Sequence, residues 1–275
     1  MEVVFGSIVF DTNQEMIDSF FKTLSNQDRD DFDILLINDG LPSEKLDNIL
    51  DKYESLRNRI IVVDADGDST FYKNRCKLIN EAKKRGYDLL VRGDFDDEFS
   101  SDRVSSFINQ FDDDYGFFYN DIYLNGESIF KSLPLVCDDY KQIGQYNFVG
   151  EGACAINLHY INETLLDKLR QGKTNVFDWY MFTTFLLEGI KGKRIDSGYT
   201  FYRIYELNMA GVPLKNYKTI SKELSVKRLH YSLLKDKNDY YKDLYEKYND
   251  ETKIKITNDI DKYYWWQFTY VDLDR

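Results

Sequence analysis

The chain has 275 residues, 36 basic against 48 acidic side chains for a net charge of −12, and 43% hydrophobic content with 16% aromatics. It is too apolar for disorder, and a chain of this length buries roughly three quarters of its unfolded surface, so it needs no disulfide or metal staple. The acidity excludes a duplex nucleic-acid binder, which wants a basic face to displace phosphate counterions.

Three scattered cysteines, Cys76, Cys137 and Cys154, make neither a disulfide framework nor a CxxC site and suit a reducing compartment. The N-terminal text lacks the basic start and long apolar run of a signal peptide. No apolar run approaches the roughly 18 residues that span a bilayer. A cytoplasmic protein is expected, with a peripheral seat at the inner face of the membrane left open.

Residues 3–10 are an apolar run of strand length, and Met16, Ile17, Phe20, Phe21 and Leu24 then recur at helical spacing. Residues 33–37 read as a second strand, followed by a helix through Leu46, Ile49, Leu50 and Tyr53. A third strand at 60–63 precedes a helix over about 70–85, and a fourth strand covers 87–91. Short apolar strands alternating with amphipathic helices predict an α/β fold, a Rossmann-like and mostly parallel sheet flanked by helices. Right-handed crossovers place the strand C-termini along one ligand-binding edge. Asp11, Asp39, Asp64 and the run Asp94 to Asp97 all fall at those strand ends.

Past residue 117 the pattern loosens. Residues 115–123 and 199–205 read as strands, and 164–169 and 178–188 as helices. The charged, tyrosine-rich stretch 221–249 is at helical spacing, and 262–268 is strongly aromatic. These predict a C-terminal helical extension over 221–275 that packs its aromatics onto a main unit of residues 1–220. That unit divides into a half of about 1–115 and a second of about 116–220. A homo-oligomer contact or a membrane-surface foot is the other use for such aromatics.

The densest chemical signal is Gly93-Asp94-Phe95-Asp96-Asp97-Glu98. In an extended segment residues two apart share a face, so Asp94 and Asp96 converge. Such a pair holds Mg²⁺ or Mn²⁺, with substrate phosphates and water completing the shell. Asp64-Ala65-Asp66-Gly67-Asp68 competes with it as a second Asp-x-Asp; it is no EF-hand loop, because its glycine is at the fourth position.

The stretch 87–97, YDLLVRGDFDD, continuing to Ser101-Asp102-Arg103-Val104, resembles the "YIARMDADD…PERL" segment of inverting glycosyltransferase family 2, which has the GT-A fold. Residues 8–13 are similar to "IIPTYN", Asn26-Gln27 to the "NQ" after the first helix, residues 34–40 to "IIVVDDG", and Lys73-Asn74 to "ARN". Gly150-Glu151-Gly152 precedes a helix, Phe177-Asp178-Trp179 resembles "EDW", and residues 202–208 resemble "YRxHxxN". The resemblance covers about residues 3–212.

The resemblance implies a metal-dependent transfer of sugar from a nucleoside diphosphate sugar, a UDP-sugar by preference, to a glycan or lipid-linked glycan. It assigns Asp39 to the nucleotide base, Asp94 to the ribose and metal, and Asp96 to the metal, Mn²⁺ or Mg²⁺. Lys73 and Arg92 fall near the nucleotide, and Asp178 is the general base, with Glu151 in reserve. Asp97 either orients the cluster or begins the next element. Asp11 departs from the family's threonine or serine and adds a carboxylate where the base enters. Lys73, Phe177 and Tyr205 replace arginine, glutamate and histidine. A helix N-terminus at Asp178 lowers its pKa, the wrong direction for a base. Two rival readings stay open, a nucleotidyltransferase on a similar sheet and a binding module without turnover. Against the former, no glycine-rich phosphate loop follows the first strand.

Overall fold

The computed structural model describes residues 1–130, 132–203, 217–257 and 264–273. Strands β1 (Val3–Val9), β2 (Asp33–Asn38), β3 (Ile60–Asp64) and β4 (Leu89–Arg92) alternate with α1 (Gln14–Ser25), α2 (Ser43–Lys52), the short α3 (Glu54–Arg57) and α4 (Phe71–Lys84). Asn13 starts α1 by accepting the Met16 N–H at 2.8 Å, an ordinary N-cap.

Then follow β5 (Glu98–Phe99), α5 (Arg103–Asn109), β6 (Phe117–Tyr119), β7 (Ile122–Leu124), β8 (Glu127–Ser128), β9 (Val136–Cys137), β10 (Cys154–Asn157), α6 (Glu163–Arg170), α7 (Phe177–Leu187), β11 (Gly192–Arg194) and β12 (Thr200–Phe201). The C-terminal part holds α8 (Tyr217–Leu234), α9 (Asp239–Asn249), β13 (Lys255–Ile256) and β14 (Thr269–Tyr270).

Among the described residues the main sheet has the order β3-β2-β1-β4-β10-β6-β11-β9. Its pairings are parallel from β3 through β4 and from β6 to β11, while β10 and β9 run against their neighbours. Alternate side chains of each strand serve opposite faces. Val4, Leu35, Ile37 and Leu90 join the core beneath α4, α6 and α7; Phe5, Ile34, Leu36, Leu89 and Val91 join the core beneath α1, α2 and α5. Burial on both faces explains why these strands read as unbroken apolar runs.

A second sheet, β5-β12-β7-β8, lies beside the main one in sequence. The stretch 115–123 is therefore not one strand: β6 and β7 belong to different sheets. The break is chemical, since the Asp121 carboxylate takes the Ile122 N–H at 2.9 Å and buried Asn120 turns its amide to the Gly198 carbonyl. Of the stretch 199–205, Thr200 and Phe201 are strand; Ile204, Tyr205 and the rest of the motif to Asn208 lie outside the described residues.

The extension is helical over α8 and α9, broken where Asn238 caps α9 through the Tyr241 N–H at 3.0 Å. Tyr231, Leu234, Tyr241, Leu244 and Tyr248 bury themselves with Tyr180 of α7 and Val271. The aromatic stretch does pack onto the main unit, but its described part, from Tyr264 on, is not helix. Trp265 forms an isolated antiparallel bridge with Asn147, so its backbone bonds go across to another segment. No described helix is long and apolar enough to cross a membrane.

Candidate active site

The parallel strands end together: Val9 stands beside Asn38, and Asn38 beside Asp64. Gly6 stands beside Arg92, so β4 ends three residues short of β1. Because β10 runs the other way, its beginning lies where β4 ends, with Ala155 opposite Val91. The turn Glu151–Ala153 that leads into β10 is thereby delivered to the same edge.

Directly after β4 the chain does not stay extended. The Asp97 N–H bonds to the Asp94 carbonyl at 3.2 Å, so Asp94 to Asp97 close a tight turn. The carboxylates gather by that turn rather than by the alternation of a strand. Asp94 and Asp96 are half-buried and Asp97 is 2% exposed. Gly152 packs against them: a Cβ there would stand 2.7 Å from Asp94 Oδ2 and 3.2 Å from Asp97 Oδ2. Asp97 Oδ1 also accepts the Arg203 N–H at 3.2 Å, tying β12's exit to the cluster.

Burial, then the charges of Glu151 and Asp96, push the Asp94 pKa up to about 7 against the pull of Arg75 and Arg92. Burial, then Asp96 and Asp94, raise Asp97 well above the carboxylate range. Asp178, second residue of α7, is pushed up to about 7 by burial and then by Glu151. The backbone N–H of Trp179 and the charge of Arg75 oppose that rise and lose. The helix end therefore does not decide this carboxyl's basicity. Nor is Asp178 the cap; Val176 holds that position. Asp178 Oδ2 accepts from Asn147 Nδ2 at 3.2 Å.

Glu151, the reserve candidate for the base, is held by two arginines. Arg75 and Arg92 both bond to its carboxylate; burial acts to raise its pKa, but the two guanidiniums outweigh burial and hold it low. Arg92, expected near the nucleotide, is 2% exposed and pairs with Glu151. Lys73, in the first turn of α4, pairs with Asp68.

Asp11 is exposed at the end of β1 and pairs with Lys45 at 2.5 Å. Asp39 is exposed beyond β2 and its Oδ1 accepts from Ser69 Oγ at 2.8 Å. The competing Asp-x-Asp loop is salt-bridged: Asp66 to Lys77 at 2.5 Å, and Asp68 to Lys73. Cations already occupy it.

Arg75, Asn147 and Arg103 had no assigned role from sequence. Arg75 stands two residues past Lys73, close to the matched "ARN", and was within reach of that comparison. Arg103 falls on the "R" of "PERL"; it is fully buried and bonds the carbonyls of Arg92 (2.9 Å), Gly152 (3.0 Å) and Gly198 (3.1 Å), binding three segments under the site.

Hard carboxylate oxygens suit Mn²⁺ or Mg²⁺, and Gly152 sets no side chain of its own against those of Asp94 and Asp97. Among the described residues no three His, Cys, Asp or Glu side chains form a ready cage. The cluster fits a hard ion that takes its remaining ligands from phosphate and water.

The metal-free protein has a definite pH signature. Asp94 and Asp178 stand at about 7 when folded against about 4 unfolded. Between those values the native state binds protons that the unfolded chain releases, so stability rises as pH falls from 8 towards 5. Below about 4 the trend reverses, as salt-bridged carboxylates with lowered pKa, such as Asp18 and Asp31, are protonated. Melting in EDTA is expected to show a Tm several degrees higher at pH 5.5 than at pH 8. A Tm falling steadily over that range would mean these carboxyls are charged and paired without metal.

The family model for glycosyl transferase family 2 matches residues 8–148, just over half of the chain. No curated protein matches it in sequence. Among solved structures it resembles the mannosyltransferase PcManGT of Pyrobaculum calidifontis, in complex with GDP-Man and Mn²⁺, with a TM-score of 0.56 and 11% identity over 89% of this chain and 68% of that one. It also resembles residues 1–349 of S. aureus TarS in complex with UDP-GlcNAc, with a TM-score of 0.60 and 15% identity over 91% and 72%. At such identities the likeness is one of fold. With the sheet order, the strand-end carboxylates and the sequence match in agreement, the chain belongs to glycosyl transferase family 2.

Proposed function

We propose that the chain is a metal-dependent inverting glycosyltransferase that moves one sugar from a nucleoside diphosphate sugar, a UDP-sugar by preference, to a hydroxyl of a glycan or lipid-linked glycan. The observation that carries this is a carboxyl set apart from the aspartate turn, Asp178, whose buried setting lifts it to about 7. A base works best when its pKa lies near the working pH.

The acceptor oxygen bonds to the anomeric carbon while Asp178 takes its proton. The bond from that carbon to the diphosphate oxygen breaks on the opposite face, and its electron pair leaves with the diphosphate. Asp94 and Asp96 would hold the Mn²⁺ or Mg²⁺, which when bound neutralises charge on the leaving diphosphate. Asp39 and Asp11, at the open ends of β2 and β1, would line the entry for base and ribose. Arg75 and Arg92 set positive charge behind the site through Glu151. On this reading residues 1–115 serve the donor, 116–220 the acceptor, and 221–275 form the extension. The donor and ion in complex with PcManGT, and the donor in complex with TarS, are of the proposed class.

The test is thermal stability with UDP, GDP, dTDP, CMP and ATP, each with Mn²⁺ and with EDTA. A ligand at 100 times its dissociation constant stabilises the folded state by about 2.7 kcal/mol. A diphosphate that raises Tm only with Mn²⁺ is the expected result, and it names the donor's base. A rise with triphosphate alone would favour nucleotidyl transfer. No rise with any would sink the proposal.

A further inference from the structure

The C-terminal extension reaches the neighbours of the candidate base, Asn147 and Trp179, on two sides. Asn147 is fully buried; its Nδ2 donates to Asp178 Oδ2 at 3.2 Å and to the Val149 carbonyl at 3.0 Å, while its Oδ1 accepts the Val149 N–H at 3.0 Å. The Val149 N–H requires an oxygen, so the amide's orientation is determined and its NH₂ must face Asp178. The backbone of Asn147 is held in turn. Its N–H donates to the Trp265 carbonyl at 2.9 Å, and the Trp265 N–H donates back to the Asn147 carbonyl at 2.9 Å.

Trp265 cannot easily shift. Its ring stands edge-on to Phe130 at 4.9 Å and against Gly150, where a Cβ would collide with it. Trp266 follows at φ 66°, a conformation that persists in a bulky residue only where its surroundings impose it. Two residues before Asn147, Gln145 accepts the Val271 N–H at 2.9 Å and donates to the Val271 carbonyl at 3.0 Å.

The far side of the segment is fastened to α8. Glu223, 2% exposed, accepts the N–H groups of Phe268 (3.1 Å) and Thr269 (2.6 Å) and the Thr269 hydroxyl (2.7 Å). Buried Lys227 pairs with Glu223 at 3.2 Å and donates to the Thr269 carbonyl. From the same helix His230 stacks on Trp179, the residue after Asp178, with ring centroids 4.0 Å apart and planes 16° apart.

We propose that the segment from Tyr264 to Val271 is a strap that positions the general base: through its bridge to Asn147 it fixes the amide that holds the Asp178 carboxylate, making Asn147 and Trp265 positioning residues for the transfer. This rests on Asp178 being the base. Among the described residues Asn147 is the side chain that donates to Asp178; the backbone of α7 supplies its other donors, and Glu151 and Arg75 face it as charges. A proton acceptor must stay within hydrogen-bond reach of the attacking hydroxyl, and misplacement by about 1 Å lowers rates on the order of 100-fold. Loss of a donor to the charged form also raises a carboxyl's pKa.

The test uses the full, metal-free chain carrying ¹³C in its aspartate carboxyls, with the Asp178 signal assigned by its absence in Asp178→Asn. The Asp178 titration is expected to move up by about half a unit or more in Asn147→Ala and in Trp265→Ala. It is expected to move further in Asn147→Asp, which is isosteric and turns a carboxyl towards Asp178. Asp272→Asn, which removes the surface pair with Lys255 just past the strap, is expected to leave the titration and turnover unchanged. With the donor found by thermal shift, Asn147→Ala and Trp265→Ala are expected to lose about 10- to 100-fold in kcat with donor KM within about twofold. If Asn147→Ala misfolds, Asn147→Asp decides. An Asp178 titration unmoved in folded Asn147→Asp and Trp265→Ala overturns the strap. Full turnover in Asp178→Asn overturns instead the assignment of the base.

Discussion

Asp178→Asn is expected to lower turnover by on the order of 10²–10⁴-fold while donor affinity stays within about twofold. The substitution is isosteric, and an amide oxygen can still accept from Asn147, so packing at the head of α7 is preserved. What disappears is the one property the reaction uses, a lone pair basic enough to take a proton near neutral pH. Two measurements separate this from general damage. Nucleotide binding, read by thermal shift, is expected to match the wild type, because the proposed role of Asp178 is towards the acceptor. The acidic limb of the kcat profile, expected near pH 7 in the wild type from the Asp178 value of about 7, is expected to vanish. A large loss of donor binding would put Asp178 in the donor site.

Removing the aspartates of the turn is expected to do the reverse. Asp96→Ala is expected to abolish the Mn²⁺-dependent shift with nucleoside diphosphate, since a Mg²⁺ or Mn²⁺ site built on one or two carboxylates has no spare ligand. Asp94→Asn adds a contrast. Burial beside Glu151 and Asp96 makes the charged Asp94 carboxylate unfavourable without an ion, so the neutral amide is expected to raise Tm in EDTA while losing the metal-dependent gain. A variant more stable but unable to bind shows that the native carboxylate is retained for its ion, a usual trade at functional sites. Retained binding in Asp96→Ala would move the ion to Asp66 and Asp68, which would first have to leave Lys77 and Lys73.

The parts legible in the sequence are those where period and burial coincide. β1, β2 and β4 read clearly because both faces are covered and the apolar runs are unbroken, while β3, at the sheet's edge, keeps an apolar run with Val62 exposed. α1 reads clearly because Ile17, Phe20, Phe21 and Leu24 form one buried stripe. β5, β8 and β9 have two residues each, too few to carry any period. The aspartate turn was found from its composition but misread in its geometry, since an i, i+2 pair says nothing about a turn hydrogen bond. The Arg75–Glu151–Arg92 clasp joins side chains 59 and 76 positions apart, and no local pattern announces it. Lys73 stands at the motif's arginine and Arg75 just past it; only the fold shows which of them reaches Glu151. Trp265 illustrates a different failure. An aromatic-rich segment beside helices invites a helical reading, yet its backbone bonds are made to Asn147, more than a hundred residues earlier.

That long reach has a consequence for biosynthesis. A ribosome delivers β1 to β4 and the aspartate turn first, and Trp265 more than a hundred residues after Asn147. The strand-end edge proposed for the nucleotide is complete in sequence long before the partner that pairs with Asn147 has left the exit tunnel. On the proposed function, donor binding and transfer competence are thus separated in time on the nascent chain, and occupancy by nucleotide would be no measure of whether the newly made protein has finished folding.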